Sequence, residues 1–409
     1  MTRRSRCRAC DGTRLTMVLS LGEVPLANSF LCYEELRKPE MRVPLAIYFC
    51  ADCALVQLLD VVEPQVLFSN YIYRTGTNQT IAQHNAALAD SVIRELGLSA
   101  ADLVIEIASN DGSLLQCFAQ RGVRTLGVEP ASNIAQIART AGIDTIVDFF
   151  GPRSAPDIAR QYGLASVVIA NNVLAHVDAT ADFLEACKTI LRPDGRLVIE
   201  VPYLVEMLDR LEYDTIYHEH LCYFAVQPLL RLFAKAGLAL ERIDRVPIHG
   251  GSLRLWARHA DASGHSQAVL RMAQEECAAG LADVAAYCDF ARRVAEHRDQ
   301  LSGLLHRLKD QGSSIVGYGA PAKGNTLLCY CGIGNDVLAY IVDRSPLKVG
   351  LYTPGMHIPV VPVERLLQDQ PDYVLILAWN FAEEIMKALS SFRDRGGHFI
   401  LPIPEPRSI

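Results

Sequence analysis

Short apolar runs alternate with helical patterns through the middle of the chain. Apolar residues dominate the runs at 103–107, 125–128, 145–147, 166–170 and 196–201, and a stretch with helical spacing follows the first of them. Nearly unbroken apolar runs are typical of strands that are buried on both faces. Their alternation with helices predicts a parallel sheet that binds its ligands at the carboxyl ends of the strands.

The same pattern returns near the end of the chain. Apolar runs at 314–318, 340–342 and 373–378 surround a glycine-rich turn that extends from Gly317 to Gly324. A strand, such a turn and a helix start predict a second Rossmann-like lobe. The backbone amides of the turn and the cation of Lys323 could hold a pyrophosphate. Alternatively, the glycines serve only the packing of strand against helix.

A chain of 409 residues is too long for one ordinary hydrophobic core, so two or three domains are expected. The pattern divides the chain into an N-terminal lobe at 1–66, a central domain at 67–262, an interdomain helical segment at 263–309 and a C-terminal lobe at 310–409. The expected fold class is α/β. It combines a central Rossmann-like parallel sheet, a small β-rich lobe in front of it and a second Rossmann-like lobe behind it.

Two Cys-x-x-Cys pairs lie in the N-terminal lobe, at Cys7 and Cys10 and at Cys50 and Cys53. Two such turns can aim four thiolates at the corners of a tetrahedron, which is the closed geometry of a structural zinc site. A catalytic zinc would need an open position, and four cysteines leave none. We therefore expect Zn²⁺ to hold this small lobe together rather than to take part in chemistry.

Composition and charge narrow the class of protein. A formal net charge of −7 argues against sequence-independent nucleic-acid binding, which needs cations. The basic run from Arg3 to Arg8 has no apolar stretch after it, and no window of about 18 apolar residues predicts a membrane span. Twelve cysteines in so long a chain, without a signal peptide, fit a reducing compartment. The expectation is a soluble cytoplasmic protein without membrane or nucleic-acid partners.

Small and acidic residues follow the strands predicted in the central domain. Small side chains after the first strand let a ligand approach the backbone, and Glu129 closes the second strand at a spacing that suits hydrogen bonds from ribose hydroxyls. An NAD-binding unit would use Glu129 in the same way. The candidate cofactor-binding residues are Glu106, Ala108, Asn110, Gly112, Glu129, Asp148 and Asn171.

A stretch from Tyr213 to Phe224 concentrates tyrosines, imidazoles and carboxylates, and it contains Tyr217-His218-Glu219-His220. Imidazole suits proton abstraction near neutral pH, a neighbouring carboxylate can orient it, and a phenol can donate to a developing oxyanion. The two histidines are two positions apart, so this is not the zinc-protease motif, in which they are four apart. The alternative is a polar loop whose histidines only form hydrogen bonds.

The central strands resemble those of class I methyltransferases that use S-adenosylmethionine (SAM), through the acid of the first motif, Glu129 and the turn from Leu191 to Gly195. The order of all the parts resembles the sugar C-methyltransferases of deoxysugar biosynthesis over nearly the whole chain. Those enzymes share the four-cysteine lobe enclosing Leu21 to Phe30, the Tyr-His-Glu-His stretch and the glycine-rich turn. Ala108 departs from the glycine that is more usual in the family.

The resemblance implies SAM and structural zinc as cofactors and methylation of carbon 3 of a nucleotide-linked 4-keto-6-deoxy sugar, carried on thymidine diphosphate. It implies that His220, oriented by Glu219, removes the proton beside the ketone, and that a phenol or imidazole stabilises the enolate. The expected catalytic residues are Tyr73, His176, Tyr217, Glu219 and His220, and the expected substrate-binding residues are His218, Tyr223 and Lys323. A monomer or small homo-oligomer is expected.

Other functions are compatible with these residues. The same cofactor could serve O- or N-methylation, or C-methylation of a ketone that is not a sugar. An NAD-dependent sugar-nucleotide oxidoreductase could use either glycine-containing turn. A zinc-ribbon module that binds nucleic acid is a third alternative, against which the acidic net charge counts.

Overall fold

The computed structural model describes residues 1–69, 71, 74–77 and 79–409. The candidate Tyr73 therefore lies outside the described residues, and its role stays a prediction. Among the described residues, no helix has both the length and the apolar character that a membrane crossing requires.

The N-terminal lobe is built on an antiparallel sheet. Its elements are β1 (Thr2–Arg3), β2 (Leu15–Pro25), β3 (Arg42–Cys50), β4 (Val56–Leu58), β5 (Asp60–Val61) and α1 (Pro64–Phe68), with a 3₁₀ turn at Tyr33–Glu35. Strand β3 pairs with β2 on one side and β4 on the other. The outer side of β4 pairs with Cys222–Tyr223, which belongs to the central part of the chain. The lobe is thus joined to the central domain by backbone hydrogen bonds as well as by packing.

The central domain contains the parallel sheet that the apolar runs predict. Its elements are α2 (Gln79–Leu96), β6 (Leu103–Ile107), α3 (Ser113–Ala119), β7 (Arg124–Val128), α4 (Ser132–Thr140), β8 (Thr145–Ile146), α5 (Ala155–Tyr162), β9 (Ala165–Asn171), α6 (Thr180–Ile190), β10 (Leu191–Pro202), α7 (Leu204–Asp209), β11 (Cys222–Tyr223), α8 (Val226–Lys235), β12 (Leu238–Val246) and β13 (Ser252–His259). The strand order is β12-β13-β10-β9-β6-β7-β8, parallel from β10 to β8. Strands β13 and β12 add an antiparallel edge.

Both faces of this sheet are buried. Val104, Ile105, Val168, Ile169 and Ile199 have no exposed surface, although successive residues of a strand point to opposite faces. This explains why the strands are almost continuously apolar in the sequence. The polar residues that interrupt the pattern lie toward the carboxyl ends of the strands, which is where doubly wound folds bind their ligands.

A long helix connects the lobes. The segment after β13 forms α9 (Gln267–Ala278) and α10 (Val284–Asp310). The ring of Tyr287 in α10 lies 4.9 Å from that of Phe49 in β3, measured between centroids. Farther along α10, Nε2 of His297 donates to the carbonyl oxygen of Pro402 at 2.6 Å, while its Nδ1 is 3.0 Å from the hydroxyl of Tyr213. Helix α10 therefore packs against all three lobes.

The C-terminal lobe is a second α/β unit. Its elements are β14 (Ile315–Tyr318), α11 (Ala322–Cys331), β15 (Ile341–Asp343), β16 (Val360–Pro362), α12 (Glu364–Asp369), β17 (Tyr373–Ile376), α13 (Ala382–Ala388), α14 (Ser390–Asp394), β18 (His398–Leu401) and β19 (Arg407–Ser408). The strand order is β16-β15-β14-β17-β18-β19, parallel except for the last pair. The predicted Rossmann-like lobe is confirmed, as is the α/β fold class.

Candidate active site

A cavity of about 720 Å³ lies where the three lobes meet. Residues from all of them line it: Asn28 from the N-terminal lobe, the ends of β6, β9 and β10 from the central sheet, and Lys323 and Lys348 from the C-terminal lobe. The carboxyl edge of the parallel sheet forms its floor, as expected for a doubly wound fold. The volume is in the range of small-molecule sites.

The loop after β6 brings backbone to the cavity. Ala108 and Asn110 have positive φ angles of 52° and 50°, and Gly112 has φ 74°. The left-handed region favours glycine, which explains why the family usually has glycine where this chain has Ala108. Ala108 and Asn110 line the cavity, whereas Gly112 lies behind the loop, where an added Cβ would come within 3.1 Å of Ala138 and Ile143.

Glu129 follows β7 and fixes the loop after β6 by a hydrogen bond. One carboxylate oxygen accepts the backbone N–H of Asn110 at 2.9 Å and the other accepts that of Ala131 at 2.8 Å. Burial raises the pKa of Glu129, and the two backbone bonds oppose that shift. Each oxygen retains a further lone pair, so the carboxylate can still accept ribose hydroxyls from within the cavity.

Two buried oxygens on the cavity wall have no partner. Oε2 of Glu106 and Oδ1 of Asn171 are inaccessible to solvent and unpaired among the described residues. Burial raises the pKa of Glu106 well above its usual range, and the carboxylates of Asp111 and Glu129 add to the effect. An ammonium group would satisfy such acceptors. The site therefore fits the amino-acid end of SAM, and the surrounding carboxyl groups suit its positive charge.

Asp148 lies away from this site. It is exposed, and its carboxylate accepts the backbone N–H of Phe149 at 2.8 Å. Phe149 and Phe150 line the cavity in its place, so the wall after β8 is aromatic rather than acidic. An acid that ends an apolar run predicts a cofactor contact, but here the acid faces solvent.

His220 and His176 lie next to each other in the cavity lining. Nδ1 of His220 faces the carbonyl oxygen of Thr215 at 2.8 Å and must therefore carry the proton. Nε2 consequently presents its lone pair, which accepts the hydroxyl of Tyr217 at 2.8 Å. The ring centroids of His176 and His220 are 4.8 Å apart. Burial lowers the pKa of His176 to about 4 and that of His220 well below its usual value, so both rings are neutral near neutral pH.

Glu219 does not orient His220, contrary to the expectation from the sequence. Its carboxylate accepts the side-chain amide of Asn28 at 2.6 Å and the hydroxyl of Tyr71 at 3.1 Å, and no hydrogen bond joins it to His220 in the described part of the chain. Adjacent residues in a turn point their side chains in different directions, which explains the difference. Burial raises the pKa of Glu219 to about 7.

Two further residues of the stretch lie outside the cavity lining. Nε2 of His218 is 3.2 Å from the carbonyl oxygen of Val43 in β3, and the side chain is buried against the N-terminal lobe. Tyr223 is buried in β11. Both connect the stretch to its supporting sheet, and neither lines the cavity where a substrate would bind.

The C-terminal lobe contributes two lysines. Nζ of Lys323 lies 3.8 Å from the ring centroid of Trp379, and burial lowers its pKa to about 8 while Asp214 and Glu212 oppose that shift. Nζ of Lys348 donates to the carbonyl oxygen of Ala320 at 2.8 Å. The sequence pattern indicated Lys323 through the glycine-rich turn. Lys348 was missed because it follows no motif.

Asp343 ends β15, where a dinucleotide-binding fold holds ribose. Its oxygens accept the backbone N–H groups of Ala320 and Ser345, both at 2.7 Å. The carboxylate thus fastens the glycine-rich turn to the sheet. Unlike Glu129, Asp343 is not among the described residues that line the cavity, so it is not placed to hold a ribose there, as the NAD-dependent alternative would require of it.

Three residues that the sequence patterns did not indicate, His84, Glu200 and Arg254, form a connected set of polar contacts at the cavity. Nε2 of His84 lies 2.9 Å from Oε2 of Glu200, and Oε1 of Glu200 accepts Nε of Arg254 at 2.7 Å. His84 and Glu200 face the cavity. The three residues come from α2, β10 and β13, and only the folded sheet brings them together.

The four predicted zinc ligands do converge. The thiol groups of Cys7, Cys10, Cys50 and Cys53 lie within 4.8 Å of one another, with sulfur–sulfur distances of 3.5 Å and 3.6 Å for two pairs. A tetrahedral site with zinc–sulfur bonds of about 2.3 Å places sulfurs about 3.8 Å apart, so the spacing fits. A hydrogen bond from the Cys53 thiol lowers the pKa of Cys7 to about 5, which favours a thiolate.

The sheet, the loop after β6 and the polar cavity above them define a SAM-dependent methyltransferase with an added zinc-binding lobe. A family model described as a methyltransferase domain matches residues 81–243, one for a zinc binding domain matches residues 7–68, and one described as a C-methyltransferase C-terminal domain matches residues 247–404. C-methyltransferase NovU from Streptomyces niveus is 39% identical over 404 residues, which cover 98% of this chain and 96% of that protein. The chain belongs to this family of C-methyltransferases.

More distant similarities cover the central part. Ubiquinone biosynthesis O-methyltransferase from Burkholderia pseudomallei is 23% identical over 163 residues, which cover 36% of this chain and 68% of that protein. The structure of magnesium protoporphyrin IX methyltransferase from Synechocystis with bound SAM has 16% identity and a TM-score of 0.34, over 46% of this chain and 88% of that one. It is the similarity to NovU and the matches to the three family models that identify the protein as a SAM-dependent C-methyltransferase with a zinc-binding lobe.

Proposed function

We propose that the enzyme methylates the carbon next to the ketone, carbon 3, of a nucleotide-linked 4-keto-6-deoxy sugar. The observation that carries the proposal is the lone pair of His220 Nε2, which is available inside the cavity because Nδ1 carries the proton and donates to Thr215, on an imidazole that burial keeps neutral. The sugar assignment rests on the resemblance of the chain to sugar C-methyltransferases.

A carbon acceptor needs a base more than an oxygen or nitrogen acceptor does. A hydroxyl or amine already carries a lone pair, whereas a C–H bond beside a ketone must lose its proton as the enolate forms. A base that is neutral at neutral pH and excluded from water suits this step. Two buried neutral imidazoles with a phenol beside them supply the required groups.

In this proposal His220 removes the proton from carbon 3 through Nε2. Tyr217 donates to that nitrogen in the free enzyme, so substrate must displace this bond. The freed hydroxyl of Tyr217 then donates to the enolate oxygen, together with His176. Tyr73 remains a predicted member of this group. SAM, when bound, would supply its sulfonium methyl group as the electrophile and leave as S-adenosylhomocysteine.

Other residues would hold the two reactants. Glu129 would accept the ribose hydroxyls of SAM, and the orphan oxygens of Glu106 and Asn171 would accept its ammonium group. Lys323 and Lys348 lie on the C-terminal wall of the cavity, where their charges suit the diphosphate of a nucleotide sugar, with thymidine diphosphate as the expected carrier. Reduced zinc-binding thiols fit a cytoplasmic enzyme.

The test uses a thymidine-diphosphate 4-keto-6-deoxy sugar in deuterated buffer. We expect wild-type enzyme to exchange the hydrogen of carbon 3 without SAM, and to form a carbon-bound methyl with SAM, both followed by NMR. His220→Ala should slow exchange by about 100-fold or more. Exchange at the wild-type rate in His220→Ala contradicts the base assignment, and an oxygen- or nitrogen-bound methyl in the product favours the alternative reactions.

A further inference from the structure

The loop formed by residues 26–31 of the N-terminal lobe has no role in the function described above. It belongs to the segment from Leu21 to Phe30 that distinguishes this chain in sequence, and it lies between β2 and β3, well away from the zinc ligands along the chain. Yet Asn28 lines the cavity. We propose that Asn28 is a positioning residue that fixes Glu219 and, through it, the turn that carries His220.

The contact itself is short and joins half-buried Asn28 to buried Glu219. Nδ2 of Asn28 donates to Oε1 of Glu219 at 2.6 Å, and Glu219 has only 3% of its surface exposed. The amide must present its N–H₂ group, because its oxygen would repel a carboxylate. The two residues are 191 positions apart, so the bond ties the N-terminal lobe to the catalytic stretch across the cavity.

The loop is held on its other side by the C-terminal lobe. Nδ2 of Asn325 in α11 donates to the carbonyl oxygen of Ala27 at 2.7 Å, and Leu31 exchanges two backbone hydrogen bonds with Tyr352, at 3.0 Å and 2.8 Å. Asn28 therefore sits in a loop that cannot move without disturbing both neighbours. Such bracing is what a positioning residue requires.

The groups that face Glu219 among the described residues are two donors and one cation: the amide of Asn28, the hydroxyl of Tyr71 and the ammonium of Lys348. All three favour the carboxylate form, whereas burial opposes it. Protonation would leave Glu219 with an O–H that must donate, which reverses the bond from Tyr71. The turn from Tyr217 to His220, closed by a 2.8 Å backbone bond, is anchored only while the carboxylate accepts both donors.

This inference rests on the proposed function, and its test starts from a wild-type enzyme that exchanges the carbon-3 hydrogen. The perturbation is Asn28→Leu, which keeps the branched shape and the number of side-chain heavy atoms and removes the donor. We expect kcat and the exchange rate to fall about 10- to 100-fold, since hydrogen bonds to charged groups have effects of this size. The acid limb of the pH profile should move to higher pH, because loss of the Asn28 donor disfavours the carboxylate.

Two further variants keep the test decisive. Asn28→Asp retains the shape and places a second carboxyl group against Glu219, so it should also move the acid limb upward. Ser29→Ala alters an exposed neighbour in the same loop and should behave as wild type. KM for the sugar nucleotide and the calorimetric affinity for S-adenosylhomocysteine should stay within about 3-fold of wild type in every variant.

Three results are distinguishable. If wild-type enzyme does not exchange the carbon-3 hydrogen, the proposed function fails. If it does, and Asn28→Leu and Asn28→Asp retain its kcat and pH profile, the positioning role is wrong. If KM rises while kcat and the acid limb stay unchanged, Asn28 is a substrate contact, and the proposal is overturned as well.

Discussion

The buried carboxylate of Glu219 should make the folded enzyme less stable as pH rises. Its pKa is raised from 4.5 in the unfolded chain to about 7 by burial. The folded state therefore binds the proton of Glu219 more tightly than the unfolded chain does. The resulting stabilisation of the folded state is complete below pH 4.5 and is lost as pH rises to about 7. A difference of 2.5 units corresponds to about 3 kcal/mol, of which about 2 kcal/mol falls between pH 5.5 and pH 8.5.

Glu219→Gln removes this charge while keeping the shape of the side chain. Its carbonyl oxygen can still accept the amide of Asn28, and its amide can donate to Tyr71. We expect this variant to be about 3 kcal/mol more stable than wild type at pH 8.5 and about 1 kcal/mol more stable at pH 5.5. The same substitution should lower kcat, because the anchored turn loses its charged acceptor.

The assay is urea-induced unfolding of zinc-loaded protein at both pH values, followed by circular dichroism and by tryptophan fluorescence. Glu383→Gln, at an exposed position of α13, is the matched control and should change stability by less than about 0.5 kcal/mol. Asp214 is also buried with a raised pKa and contributes equally to both proteins, so it cancels. A stability difference between Glu219→Gln and wild type that is the same at both pH values would refute this reasoning.

Two further predictions concern the scaffold. Arg254→Met leaves Glu200, which is 1% exposed, without its guanidinium partner, and should lower the unfolding free energy by about 3 kcal/mol, measured by urea unfolding. Arg292→Met breaks exposed pairs on α10 and should cost less than about 1 kcal/mol; equal losses in the two variants would contradict the burial argument. Cys53→Ser should reduce bound zinc to well below one ion per chain, measured by inductively coupled plasma mass spectrometry. The control Cys32→Ser should leave the zinc content unchanged. Full zinc occupancy in Cys53→Ser would rule out the four-cysteine site.

Patterns that are local in sequence predicted much of this structure. The Cys-x-x-Cys pairs predicted the convergence of four thiols, because each pair folds as its own tight turn and only two turns must meet. The apolar runs predicted the parallel strands, because burial on both faces demands such runs. The turn after β6 could be located from its small residues. Only its φ angles show that Ala108 has a backbone conformation that favours glycine.

Side-chain partners across the cavity could not be predicted. The sequence placed Glu219 beside His220, and adjacency suggested a contact, yet the turn directs the two side chains to different partners. Thr215, which orients His220, acts through its backbone carbonyl, so its side chain gives no signal. Lys348 and Asn28 reach the site from separate lobes, and a single sequence carries no trace of such distant pairs.

The pairing of β4 with β11 sets a rule for exchanging parts between relatives. Strand β11 begins two residues after His220, and the N–H of Leu58 donates to the carbonyl oxygen of Leu221 at 2.9 Å. A chimera that replaces the first lobe alone would pair a foreign strand with the host's β11, close to His220. In a functional hybrid, residues 217–224 and the first lobe should therefore come from the same parent protein, although the two segments are far apart in sequence.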